Sequence, residues 1–205
     1  MKTIVPGLHA SISEPLGFGP ALEMRAFLLQ REHGNVLIYR SAGLRADVEA
    51  IAGLGGISRQ YLNHWHEASE ESDWVTDTFG GPLHCHVADA PMVSSVSKVG
   101  ATFSGRHMVG NDFEVIPTPG HTEGATAYLW DTGEHRALFT GDTIFFNGGR
   151  WRAALLDGVG DRERHIDSLE LIRELDFDLV VPGIASKGEP FVAFVEKPEA
   201  QQRID

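Results

Sequence analysis

Apolar residues fall in short blocks along this chain, and the blocks change period as they go. Met24 to Gln30 and Val36 to Tyr39 are apolar and rich in strand formers, with the polar stretch Arg31 to Asn35 and its Gly34 between them, which predicts a hairpin. Leu44, Val48 and Ile51 then recur at helical spacing until Gly53, Gly55 and Gly56 break the pattern. Strand character returns at Tyr61, at Leu83 to Val87 and at Phe113 to Ile116. Ala125 to Trp130 and Arg136 to Thr140 flank Asp131, Thr132 and Gly133 as a second hairpin. Ile166, Leu169, Ile172 and Leu175 mark a late amphipathic helix, followed by a buried-type strand at Leu179 to Val181. Hairpins alternating with helices predict a layered α/β domain with mixed sheets in the middle and helices outside.

The length, 205 residues, suits one domain spanning 1–205. Residues 185–205 are polar, contain Pro190 and Pro198, and read as a C-terminal extension. The 42% apolar and 22% charged content is that of a folded chain. Asp plus Glu outnumber Lys plus Arg by 29 to 17, a net charge of −12 that argues against nucleic acid or an anionic membrane surface as partner. Cys85 is the one cysteine, so no intramolecular disulfide forms. Pro6 and Gly7 interrupt the start of the chain where a signal peptide would be apolar, and no run is long enough to span a bilayer. The expectation is a soluble cytoplasmic protein acting on a small molecule, with a homodimer as a conceivable assembly.

Chemistry is concentrated in a few of the ten histidines. His9, His33, His107, His135 and His165 stand alone and read as surface or packing residues. In "YLNHWHEAS", His64 and His66 are two apart after an apolar run, so on a strand end both would face one side and could chelate one ion. "PTPGHTEG" places His121 in a turn before a strand, and "LFTGDT" places Asp142 just after one. Together these form a ligand set suited to a divalent metal. "LHCHVADAP" repeats the spacing at His84 and His86. There Cys85 alternates to the other face, toward the core.

In their order and separation, HWHEAS, GHTEG, TGD and PGIA resemble the HxHxDH, GHTPG, TGD and PGHG motifs of the metallo-β-lactamase superfamily, which includes glyoxalase II-like hydrolases and persulfide dioxygenases. The resemblance extends from "AFLLQREHGNVLIY" to "LIRELDFDLVVPG" and implies a four-layer αββα sandwich. It implies that His64, His66 and His121 form a first metal site, with Asp142 bridging to a second or joining the first. The second site's own ligands fall on Ala68, Ser69 and Ile184, none of which binds a metal. One divalent ion is therefore expected, zinc first and iron as the alternative.

The reading that follows is a mononuclear metallohydrolase for a small ester or thioester, with Asp142 orienting the water or accepting its proton in place of the missing aspartate. Trp65, Glu67 and Arg150 are candidates to line the substrate pocket, as is Arg152. Relatives carry a histidine near His86 without a ligand role, so that pair is read as structural. A non-haem iron dioxygenase resembling persulfide dioxygenases, and a non-catalytic binding protein on the same fold, are the alternatives.

Overall fold

The computed structural model describes residues 1–17, 21–40 and 42–204. The first sheet runs, edge to edge, through Lys2–Val5, Leu8–Ala10, Phe27–Leu29, Val36–Ile38, Arg59–Tyr61, Leu83–His86 and Val99–Phe103. It is antiparallel up to Val36–Ile38 and parallel beyond. The second sheet orders His107–Val109, Phe113–Pro117, Thr126–Asp131, Arg136–Gly141, Leu179–Pro182 and Ala193–Phe194. Its one parallel pair is Arg136–Gly141 with Leu179–Pro182. A third set of short strands, including Leu22–Met24, Phe145–Asn147 and Ile184–Ser186, borders the site.

Alternation along the strands sorts the core. Phe27, Leu29, Val36 and Ile38 face the second sheet and pack with Phe113, Val115, Ala127 and Phe139 in the main apolar cluster. Leu28 and Leu37, on the opposite face, pack with Leu44, Ile51, Ile57 and Val75, the apolar positions of the helix Val48–Gly53, the helix Glu70–Phe79 and their connections. The helix Arg162–Glu174 buries Ile172 and contacts the helix Lys197–Ile204. Helices thus cover mixed sheets that pack on each other, as the sequence predicts. No helix among the described residues is long and apolar enough to cross a membrane.

The first predicted hairpin needs correction. Met24 belongs to the strand Leu22–Met24, which pairs with Ile184–Ser186, whereas Phe27–Leu29 pairs with Leu8–Ala10 and Val36–Ile38. The chain changes sheets at Arg25 and Ala26, whose N–H groups donate to Gly183 O and to Ser11 Oγ. A continuous apolar run does not reveal that change of partner. Within 185–205, Ala193–Phe194 pairs with Leu179–Pro182, and Lys197–Ile204 packs on Arg162–Glu174 and on Arg150–Arg152.

Topology gathers the site. Val36–Ile38 is parallel to Arg59–Tyr61, and Phe113–Pro117 and Leu179–Pro182 run in the same direction as Arg136–Gly141. Residues just past these strands therefore emerge at common edges: Tyr39 and Arg40, His64, His121, Asp142, and Gly183.

Candidate metal centre

His64 and His66 do not sit on a strand end. The strand stops at Tyr61, His64 is extended, and His66 lies in a single helical turn, Trp65–Glu67. The turn is held from inside. Glu67 Oε2 accepts the Asn63 N–H at 2.8 Å, and Asp89 Oδ2 accepts the Trp65 N–H at 2.9 Å. The two rings still converge, with centroids 5.1 Å apart, and His121 closes the triangle at 4.4 Å from His64 and 5.5 Å from His66. One ring nitrogen from each lies within 4.8 Å of the other two.

Hydrogen bonds fix which nitrogens face inward. His64 Nδ1 donates to Asn63 Oδ1 at 2.9 Å, and His121 Nδ1 donates to the Ala154 carbonyl at 2.7 Å. Each leaves its Nε2 lone pair turned toward the others, the arrangement that orients histidine ligands on metals. His121 Nε2 is buried with no hydrogen-bond partner among the described residues, a cost that a bound cation would remove. Burial, reinforced by His121 and His66, holds His64 well below the usual imidazole range. Burial and His121 bring His66 down to about 4. Both rings are neutral near pH 7, the form that binds metal. The donor set fits a divalent ion, and no other group of His, Cys, Asp or Glu among the described residues comes together in this way.

Asp142 borders the triad on one side. Its Oδ2 is 3.8 Å from His64 Nε2 and 3.7 Å from His121 Nε2. Burial raises this carboxyl to about 6, with His121 opposing the rise. Glu67 is buried beside it and is pushed well above the carboxylate range, first by burial and then by Asp142.

Beside the triad opens a cavity of about 290 Å³. Glu67, His64, His66, His121 and Asp142 line it together with Tyr39, Arg40 and a largely apolar wall. Ile184 is part of that wall, Ala68 packs against the cluster of Leu62, Leu83 and Val93, and Ser69 precedes the helix Glu70–Phe79. Three pocket candidates fall elsewhere. Trp65 lies on His66, ring centroids 3.7 Å apart, outside the lining, and Arg150 is exposed on the strand Arg150–Arg152 with Arg152. The guanidinium in the pocket is Arg40, two residues beyond the strand Val36–Ile38, where the sequence shows only an arginine after an apolar run.

Three further residues carry no sequence signal. Tyr39, at φ 65°, accepts the Gly141 N–H and donates to the Val181 carbonyl through its hydroxyl, fixing the turn that presents Asp142. Asn63 Nδ2 donates to the Thr126 and Thr140 carbonyls. Asp89 accepts from Thr122 Oγ1 and the Gly124 N–H as well as from Trp65, so one carboxylate ties the HWH turn to the loop carrying His121. His84 stacks on Tyr61 at 4.7 Å, His86 bonds the Ser104 carbonyl, and Cys85 is buried with Leu62, Leu83 and Val93. Both histidines of that segment are thus engaged with neighbours in the fold, His84 Nδ1 also meeting the Pro82 carbonyl.

The metallo-beta-lactamase superfamily model matches residues 51–184, a span that holds all three histidines and Asp142. The chain belongs to the metallo-beta-lactamase superfamily. Solved structures with the superfamily fold superpose over nearly the whole chain. A metallo-beta-lactamase from Pontibacter korlensis gives a TM-score of 0.74 at 16% identity, covering 99% of this chain and 94% of that one. ETHE1 from Myxococcus xanthus gives 0.67 at 24% identity, covering 94% and 83%. A hydroxyacylglutathione hydrolase from Erwinia tasmaniensis is 37% identical over 76 residues, 37% of this chain and 26% of that protein. The match thus spans about a quarter of that relative's length. Superfamily proteins bind divalent metals, and the histidine triad here is of that kind.

Proposed function

We propose that this protein hydrolyses a small ester or thioester using one divalent ion, zinc, held by His64, His66 and His121. The observation that supports this most is the convergence of three imidazoles within 4.8 Å, two of them with Nδ1 committed to an oxygen acceptor. When bound, such an ion supplies an acidified water and polarises the scissile carbonyl.

The chain's own residues do the rest. Asp142 Oδ2, beside His64 and His121, is placed to take the proton of the attacking water and return it to the departing alkoxide or thiolate. The apolar wall holds the acyl portion and keeps bulk water out. Ala68, Ser69 and Ile184 offer no ligand for a second ion, which favours a single-metal centre. The partial likeness to a hydrolase named for hydroxyacylglutathione is in keeping with a thioester.

A panel of thioesters and aryl esters, assayed with zinc-loaded protein and with H121A, tests this reading. Hydrolysis by the wild type and its loss, by about 100-fold or more, in H121A is the expected result. Oxygen uptake with glutathione persulfide by the iron-loaded protein, with no ester or thioester cleaved by the zinc form, overturns it in favour of iron chemistry.

A further inference from the structure

Among the described residues, Arg40 is the only lysine or arginine lining the cavity beside the triad. Four other arginines are ion-paired: Arg31 with Asp112, Arg106 with Glu114, Arg136 with Asp176 and Arg203 with Glu199. Arg40 has no such partner among the described residues. Its Nε is buried with no hydrogen-bond partner among the described residues, and Nη2 reaches only the Met24 thioether, at 3.4 Å. Glu67 feels its charge, but no carboxylate among the described residues lies within ion-pair distance of it. An unpaired guanidinium in an apolar pocket carries a desolvation cost that an incoming anion relieves. Leu16, Leu22, Met24, Phe145, Leu156 and Ile184 supply the apolar surface around it.

We infer that Arg40 is a substrate-recognition residue and that the ester or thioester carries a carboxylate on an apolar body, the carboxylate pairing with the guanidinium while the acyl bond faces the triad. The planar fork of an arginine matches a carboxylate through two parallel hydrogen bonds, a match that a lysine does not reproduce. This deepens the hydrolytic reading and rests on it for the word substrate. The anion site itself stands on the cavity and its unpaired cation.

Calorimetric titration of the full zinc-loaded chain with phenylbutyrate and with the neutral phenylbutyramide tests it in the wild type, R40M and R40K. The wild type binds the carboxylate about tenfold or more tightly than the amide, a ratio that falls to about one in R40M and severalfold in R40K. Thermal melting checks that each variant is folded, and if R40M is not, the R40K ratio decides. A wild type without preference overturns the inference, and so does a folded variant that keeps the full preference. Preference that depends on Arg40, with no ester or thioester cleaved, rejects the hydrolytic reading alone. Cleavage without such a preference rejects this inference alone.

Discussion

Asn63 stands one residue before the first histidine, and its side chain is used in both directions. Oδ1 accepts from His64 Nδ1 while Nδ2 serves the Thr126 and Thr140 carbonyls. Removing it frees His64 to rotate and change tautomer, so N63A should weaken metal affinity by about 10- to 100-fold, measured by competition with a chromophoric chelator. Gly141 completes the arrangement. It has φ 55°, and a Cβ there would lie 1.9 Å from Asn63 Cγ, so G141A should displace Asn63 and lower both stability and metal affinity. The histidines were legible in the sequence because their residue type and spacing carry chemistry. Asn63, Tyr39 and Arg40 were not, since asparagine before a turn, or tyrosine and arginine after an apolar run, are ordinary there. Their roles come from partners on other strands.

At the level of elements, Asp89 holds two loops together from the start of the helix Ala90–Ser94. Gly124 is required for this contact, because a Cβ there would lie 2.5 Å from the Asp89 carboxyl carbon. D89A leaves two buried donors and the part-buried Trp65 N–H without an acceptor, each buried one costing about 1–3 kcal/mol. The variant should lose about 3 kcal/mol of stability in urea unfolding, and metal affinity should fall with it. An unchanged affinity at lower stability would show that the two loops hold their histidines independently. The predicted elements match where apolar periodicity is long, as in the helix Arg162–Glu174 and the strands Thr126–Asp131 and Arg136–Gly141. The match fails locally at the HWH turn, where the Asn63 and Trp65 N–H groups bond side chains and no neighbouring strand.

Across the whole molecule, the two large sheets meet through packed aromatic rings, Phe27 and Tyr39 against Phe139, and are pinned near one edge by Arg31 and Asp112. Arg31 is fully buried, and Trp130 Nε1 also donates to the Asp112 carboxylate. The hydrogen bond from Arg31 holds Asp112 below its usual carboxylate range. A carboxylate depressed in the fold contributes stability that is present above its unfolded value, about 3.9, and lost as pH falls through the folded value. The wild type should therefore lose stability on going from pH 7 to pH 3 by more than D112N does, as read from urea midpoints. The α/β layering was visible in the apolar pattern. The change of sheets at Arg25 and the short strands bordering the site were not, because they depend on contacts far along the chain.

The account stands most directly on the metal. Elemental analysis of the purified protein, with H121A alongside, should find about one equivalent of zinc in the wild type and little in the variant. A wild type that binds no divalent metal even after zinc loading, or one that carries two equivalents, would contradict a single ion held by His64, His66 and His121.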